Sequence, residues 1–400
     1  MTTTSVGSVH VSVGSLSTER RHPKWREILE CVQLCEKSYR RGGLPCDEEF
    51  LAGNIGGSVS IKIGGNSLRY VPEPFNYKLL CVVEPTLSKE GKRFAKVALA
   101  TDYILSRSAK LPEEELRFGV PPRTVVLTNA DSSEYTIVIR GTNSRHDRMR
   151  NKDFFGVQKD IYAPTPIDVH AGFDKAAEFL GILISNHFTN AKSATFRVTG
   201  HSLGGVVGAL LGAYLMRKGF NVSRVITFGQ PMFTNEAGAK TLDATPLGNR
   251  LYRIVNEDDP VATIPPQSVH CGLELYMDCD EEFFTYYTLS ARTYRPPASL
   301  TASLTRRVLR RYVFDPIFKL ALTLNDHDIS DTHGSYEARL DSLVLLYADS
   351  TAKEDVKAFL DVSPFDALFN NGSEEPSTEP VKKYVCDAPQ LSNAHSYVFK

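Results

Sequence analysis

The feature that most constrains the fold is a serine between an apolar strand pattern and a glycine-rich helical pattern. Residues 195–200 read TFRVTG, residues 200–204 read GHSLG, and residues 203–219 read LGGVVGALLGAYLMRKG. In a G-x-S-x-G turn between a strand and a helix, the glycines lack the Cβ atoms that would collide with neighbouring backbone. Ser202 is therefore the candidate nucleophile. The helix that follows it would present amide groups that stabilise a developing anion.

Apolar runs and helical patterns alternate on both sides of this turn. Strands are predicted at 124–130, 134–141, 195–200, 223–229 and 251–256, and helices at 171–188 and 203–219. Alternation of this kind predicts an α/β protein with a mostly parallel central sheet flanked by helices, because parallel neighbours need crossover helices.

The chain divides into four segments by pattern and composition. The predicted segments are a disordered tail at 1–21, an N-terminal helix and strand extension at 22–120, the core at 121–350, and a C-terminal extension at 351–400 with a polar linker at 370–380. Within the N-terminal extension we predict a helix over 22–40, short strands over 50–83 and a helical region over 94–110.

Composition excludes several classes of protein. The chain of 400 residues carries 46 Lys+Arg against 47 Asp+Glu, so its balanced charge favours no nucleic-acid partner. Its seven cysteines form no C-x-x-C pair, which argues against a thiolate zinc site. The sequence has no run of about 18 apolar residues, so no transmembrane helix is predicted. The N-terminal residues lack a basic start and an apolar stretch, so we expect a cytoplasmic protein or one exported without a secretory signal peptide.

A nucleophilic serine needs a base and an acid, which on such sheets follow in the order Ser, Asp, His. Asp258 and Asp259 come shortly after the predicted strand at 251–256, and either could orient a histidine. The downstream histidines are His270, His327, His333 and His395. His327 and His333 lie in a polar loop before a helical pattern, where a side chain can reach over the sheet edge.

Five segments, taken in order, resemble the class 3 lipases, an α/β-hydrolase family that includes fungal triacylglycerol lipases and plant phospholipase A1-like enzymes. They are IVIRGT at 137–142, VHAGF at 169–173, VTGHSLGG at 198–205, TFGQP at 227–231 and YRIVNEDDPVATIPP at 252–266. The resemblance implies an α/β-hydrolase fold and a serine-dependent carboxylic ester hydrolase that acts on lipid esters.

Carried over position by position, the resemblance implies Ser202 as the nucleophile and Asp259 as the acid, because Asp259 directly precedes the matching Pro-Val. The family's histidine commonly precedes an aromatic residue by three positions, as His333 precedes Tyr336. His333 is therefore the implied base, with His327 in reserve.

The implied oxyanion hole consists of Thr142, which follows the R-G pair, and the backbone N–H of Leu203. The implied acyl transfer needs no metal and no organic cofactor. Triacylglycerols and phospholipids are both candidate substrates. Two alternatives stay open, a catalytically silent lipase-like binding or regulatory protein and an enzyme acting on small soluble esters or thioesters.

Two groups of basic residues suggest a second partner. One is Arg145, Arg148, Arg150 and Lys152 in the 143–155 segment, which corresponds to the family's lid, and the other is Arg306, Arg307, Arg310 and Arg311 in a basic amphipathic stretch at 302–324. Basic residues near an anionic leaflet each contribute about 1 kcal/mol. They could therefore favour peripheral contact with an anionic phospholipid surface, or they are an ordinary solvated loop and helix.

Overall fold

The computed structural model describes part of the chain. The described residues are 22–39, 59–63, 66–70, 78–87, 93–99, 108–109, 122–129, 132–141, 156–188, 193–256, 259, 261–265, 268–279, 287–292, 336, 340, 361 and 363–366.

The elements follow the alternation that the sequence predicts. In chain order they are α1 (Trp25–Tyr39), β1 (Val59–Ile63), β2 (Asn66–Tyr70), β3 (Lys78–Leu87), β4 (Arg93–Leu99), β5 (Ser108–Ala109), β6 (Thr124–Thr128), β7 (Glu134–Ile139), β8 (Gly156–Lys159), β9 (Ile167–His170), α2 (Ala171–His187), β10 (Thr195–His201), α3 (Leu203–Arg217), β11 (Asn221–Phe228), α4 (Glu236–Asp243), β12 (Leu251–Asn256), β13 (Leu273–Cys279) and β14 (Tyr287–Arg292). A short 3-10 turn lies at Val261–Thr263.

Within the described ranges, ten strands form one sheet in the order β14-β13-β12-β11-β10-β7-β6-β3-β4-β5. Its centre is parallel, since β7, β10, β11, β12 and β13 run in one direction. Antiparallel strands extend the sheet on both sides. Because the central strands are parallel, β10, β11 and β12 all end at the same sheet edge. The predicted α/β-hydrolase fold, with a parallel central sheet and flanking helices, is confirmed.

Helices cover both faces of the sheet. On one face α2 and α3 pack together, and every residue of α3 from Leu203 to Leu215 is buried. On the other face α1 lies against β7, β10 and β11, and its apolar side chains form a second core with Tyr336, Leu340 and Phe365. No helix among the described residues combines the length and apolarity needed to cross a bilayer.

A buried ion pair fixes α1 to the sheet. The guanidinium of Arg197 in β10 donates to both carboxylate oxygens of Glu30, at 2.6 and 3.1 Å, and also to the Thr136 hydroxyl at 3.1 Å. Burial raises the pKa of the Glu30 carboxyl, and attraction to Arg197 opposes that rise. Such a pair holds its elements in register, because separating it would leave a charge in the core without its counterion.

The prediction of a helical region over 94–110 is wrong. The structure has strand β4 there, paired antiparallel with β3, and the short strand β5 paired with β4. Ala, Leu and Lys in this stretch favour helix locally, but pairing with a sheet edge overrides so small a propensity.

Asp243, the last residue of α4, gives stability a pH dependence. Its carboxylate accepts a hydrogen bond from the Gly272 backbone N–H at 2.7 Å, and burial raises the pKa of the Asp243 carboxyl to about 6. In an unfolded chain the Asp pKa is about 3.9. The folded state therefore binds this proton more tightly, and the free energy of unfolding falls as the pH rises from about 4 to about 6.

Replacing Asp243 by Asn should remove this loss, because Asn keeps an acceptor oxygen and never ionises. We expect the stability of Asp243→Asn relative to wild type to increase by roughly 1–2 kcal/mol between pH 4 and pH 7, measured by urea unfolding at each pH. The control is Glu236→Gln on the same helix, whose ion pair with Lys240 is exposed. A difference that stays constant across this range would contradict the assignment.

Candidate active site

Ser202 occupies the turn between β10 and α3 in a conformation that few residues adopt. Its φ is 57° and its ψ is −127°, so the backbone is in a left-handed, strained region. The Ser202 N–H donates to the Phe228 carbonyl at the end of β11, and the Ser202 carbonyl accepts from Gly205 N–H, both at 2.9 Å. These bonds hold the strained residue at the helix N-terminus.

Close backbone approach explains the glycines on either side. A Cβ at Gly200 would overlap the Gly204 carbonyl, and a Cβ at Gly204 would overlap the Ile139 carbonyl oxygen and lie 2.7 Å from that of Arg140. These obstacles are backbone atoms, which cannot rotate aside. The first turn of α3 therefore lies directly on the end of β7, beside the residues that precede Thr142.

Asp259 follows β12 and is buried, with 1% of its surface exposed. Its N–H donates to the carbonyl of Asn256, the last residue of β12, at 3.1 Å. One carboxylate oxygen accepts the Val261 N–H at 2.8 Å, and the other accepts the Tyr336 hydroxyl at 2.6 Å. The carboxylate is thus held in a fixed orientation by two donors.

Tyr336 connects the acid to the serine turn. Besides donating to Asp259, its hydroxyl accepts the Asn256 N–H at 3.1 Å. Its ring lies edge-on to His201, with ring centres 6.0 Å apart, and edge-on to Phe228 at 6.1 Å. Since His201 immediately precedes Ser202, the Tyr336 side chain contacts both Asp259 and the residue next to Ser202.

Tyr39, at the end of α1, also contacts His201. Its hydroxyl is hydrogen-bonded to His201 Nδ1 at 2.8 Å, and the two rings are T-shaped with centres 5.7 Å apart. His201 is buried and lies in contact with both tyrosines.

Of the site residues predicted from sequence, Ser202, Leu203 and Asp259 are described, and they lie where parallel strands β10 and β12 end. Thr142, His327 and His333 lie outside the described residues, as do Asp258 and both groups of basic residues. The contacts of Tyr39 and His201 were not predicted from the sequence. Tyr336 entered the sequence analysis only through its spacing from His333.

Other motif residues have local structural roles. The His170 ring accepts the Gly172 N–H at 3.2 Å, caps α2 and stacks on Phe173 with ring centres 4.0 Å apart. The Gln230 side-chain oxygen accepts the Thr227 hydroxyl at 2.9 Å. In the part of the chain that the structure describes, no three His, Cys, Asp or Glu side chains form a group that could hold a metal ion.

A serine in a strained strand–turn–helix, a helix N-terminus behind it and a buried carboxylate two strands away resemble the arrangement that serine hydrolases have on an α/β-hydrolase sheet. Residues 136–269 match the family described as Lipase (class 3). This match confirms the resemblance to the class 3 lipases that was read from the sequence.

Two curated fungal proteins are similar to the chain. One, from Fusarium solani, is named secreted mono- and diacylglycerol lipase 1 and is 33% identical over 145 residues, which are 35% of this chain and 42% of that protein. The other is a lipase from Rhizomucor miehei, 32% identical over 152 residues, or 35% of this chain and 41% of that protein. The chain thus spans about two fifths of the length of the curated relatives it matches.

Among solved structures, a lipase from Rhizopus microsporus var. chinensis is 19% identical, with a TM-score of 0.42 over 64% of this chain and 75% of that one. The Rhizomucor miehei lipase propeptide complex is 28% identical, with a TM-score of 0.33 over 39% of this chain and 52% of that one.

Gly204→Ala tests the close approach of α3 to β7. Because the added methyl group would overlap backbone carbonyls, we expect a loss of about 2 kcal/mol or more in the free energy of unfolding, together with loss of reactivity at Ser202. Urea unfolding measures the first effect and labelling by a fluorophosphonate measures the second.

Gly208→Ala, one helical turn further on, is the matched control. Its Cβ would lie 3.3 Å from a Val198 methyl and 3.7 Å from an Ile139 methyl, which are side chains able to adjust. We expect a change within about 1 kcal/mol. Equal stability of the two variants would contradict the steric explanation.

Proposed function

We propose that the protein is a serine-dependent carboxylic ester hydrolase that acts on lipid esters through Ser202, His333 and Asp259. The observation that carries the proposal is the strained Ser202 at the N-terminus of α3, on the sheet edge where the buried Asp259 also lies. A strained backbone persists only where its surroundings hold it, and such residues cluster at active sites.

The acid is supported by its environment. A buried carboxylate with two fixed donors keeps one orientation, which is the property required of an acid that orients an imidazole. In a Ser-His-Asp site the acid holds the imidazole tautomer and stabilises the imidazolium.

Chain spacing supports His333 as the base over His327. Three residues of extended chain span at most about 11 Å, and Tyr336 is hydrogen-bonded to Asp259. His333 precedes Tyr336 by this spacing, whereas His327 is three times as far along the chain.

The proposed oxyanion hole uses donors from two elements. The N–H of Leu203 is the first in α3, where helical amides have no acceptor within the helix and the helix dipole favours negative charge. Thr142 follows Gly141, which lies against the serine turn. Donors fixed before the reaction stabilise the tetrahedral intermediate without reorganisation.

In the proposed reaction His333 takes the Ser202 proton as Oγ attacks the ester carbonyl. Thr142 and the Leu203 N–H hold the oxyanion, and His333 then protonates the leaving alcohol. Water, deprotonated by the same histidine, hydrolyses the acyl-enzyme and releases the fatty acid.

Lipid esters are the proposed substrates because the matching segment belongs to the class 3 lipases and the Fusarium relative is named for mono- and diacylglycerols. Acylglycerols and phospholipids, cleaved in the manner of a triacylglycerol lipase or a phospholipase A1, both fit this chemistry. Peripheral contact with an anionic membrane surface stays a prediction.

Ser202→Ala should abolish ester hydrolysis because no other group can form the acyl-enzyme. We expect turnover of p-nitrophenyl butyrate and palmitate to fall by about 10⁴-fold or more. Ser185→Ala is the control, since its hydroxyl donates to the Ile182 carbonyl within α2 at an exposed position. Turnover that persists in Ser202→Ala, or is absent from wild type on every ester tested, would overturn the proposal.

The choice of base is tested by labelling with a fluorophosphonate, which requires an activated serine. We expect labelling to be lost in His333→Ala and kept in His327→Ala, as read by gel fluorescence. The reverse result would move the base to His327.

The products from a mixed lipid extract identify the substrate. Lysophospholipids together with fatty acids would identify a phospholipase, and diacylglycerols or monoacylglycerols an acylglycerol lipase. Turnover confined to butyrate, with no lipid product, would identify an enzyme of small soluble esters instead.

A further inference from the structure

The end of α1 lies in the proposed active site although α1 is outside the segment that matches the lipase family. Its last residue, Tyr39, is half-buried, and its hydroxyl is hydrogen-bonded to the imidazole of His201 at 2.8 Å. His201 is the residue directly before the nucleophile.

The Tyr39 hydroxyl also occupies the space beside Gly141. A Cβ built at Gly141 would overlap this hydroxyl, lie 2.6 Å from the His201 carbonyl oxygen and lie 3.0 Å from Ser202 Cβ. Three segments therefore meet around one phenol oxygen, namely the end of α1, the backbone at Gly141 and the turn at Ser202.

The helix that carries Tyr39 is held against the sheet by several contacts. Upstream of it, Glu30 is paired with Arg197, and the Cys35 thiol is hydrogen-bonded to the Thr199 hydroxyl of β10 at 3.4 Å. The Ser38 hydroxyl donates to the Cys35 carbonyl at 2.6 Å within the last turn. The position of Tyr39 is thus set relative to the strand that carries Ser202.

We propose that Tyr39 is a positioning residue for acyl transfer, holding His201 and the backbone at Gly141 so that the oxyanion donors stay aligned with Ser202. The inference rests on the proposed function. Tyr39 acts through its hydroxyl on neighbouring segments, and it carries no proton in the reaction. Misplacement of a reacting group by about 1 Å costs up to about 100-fold in rate.

Tyr39→Phe removes the single oxygen and keeps the ring. We expect kcat for p-nitrophenyl butyrate to fall about 10- to 100-fold, with KM unchanged within about twofold, because the substrate is still bound but the reacting atoms are less well aligned. Thermal unfolding should match wild type within a few degrees.

Tyr252→Phe is the matched control. The Tyr252 hydroxyl is hydrogen-bonded to His22 Nδ1 at 3.1 Å, so it also joins the N-terminal segment to the sheet through a tyrosine–histidine pair. It lies near the start of β12, at the sheet edge opposite Ser202. We expect its kcat to equal that of wild type.

A double-mutant comparison with His201→Asn tests whether Tyr39 acts through His201. If Tyr39 acts through His201, Tyr39→Phe should slow the His201→Asn protein less than it slows wild type. Full additivity of the two losses would overturn that route.

Several results would overturn the inference as a whole. They are an unchanged kcat in Tyr39→Phe, an effect on KM alone, the same loss in Tyr252→Phe, or a loss matched by unfolding of the variant. If wild type itself shows no turnover that depends on Ser202, the proposed function fails together with this inference. Wild-type turnover with an unaffected Tyr39→Phe variant defeats the inference alone.

Discussion

The close contact between the first turn of α3 and the end of β7 determines the geometry of the site. With hydrogen in place of a side chain at Gly204, the helix can approach the carbonyls of Ile139 and Arg140. That approach leaves one residue to complete the reversal from β10 into α3, so Ser202 takes its positive φ. The same contact brings the helix N-terminus beside Gly141. A single steric condition therefore aligns Ser202, the helix dipole and the backbone at Gly141.

Helices on both faces of the sheet contribute to the surroundings of Ser202. On the face covered by α2 and α3, the first turns of α3 belong to a large apolar cluster. On the face covered by α1, the ion pair of Glu30 and Arg197 joins the helix to β10, and Tyr39 at the end of α1 contacts His201. His201 also contacts Tyr336, which donates a hydrogen bond to Asp259. Hydrogen bonds and ring contacts thus connect α1 with the acid across the serine turn.

Local patterns in the sequence were sufficient for the central sheet, because buried parallel strands and their crossover helices have continuous apolar runs. The strands β6, β7 and β10–β12 and the helices α1–α3 lie within a few residues of their predicted positions. The pattern failed at β4, where pairing with β3 outweighed helix propensity. It also did not predict the contact of Tyr39 with His201, since only tertiary structure brings the end of α1 to the sheet edge. The roles of Thr142, His333 and His327 stay predictions, as they lie outside the described residues.

The ion pair of Glu30 and Arg197 has a consequence for what counts as the folding unit. Arg197 lies inside the segment that matches the lipase family and Glu30 lies outside it. Excised alone, that segment would carry a guanidinium inside an apolar face that α1 no longer covers. In this chain α1 is covalently linked to the sheet that it covers, and the length of the link sets the effective concentration of α1 at the sheet. Packing of α1 is thus an intramolecular binding equilibrium, and Arg197 is paired with Glu30 only while α1 is bound.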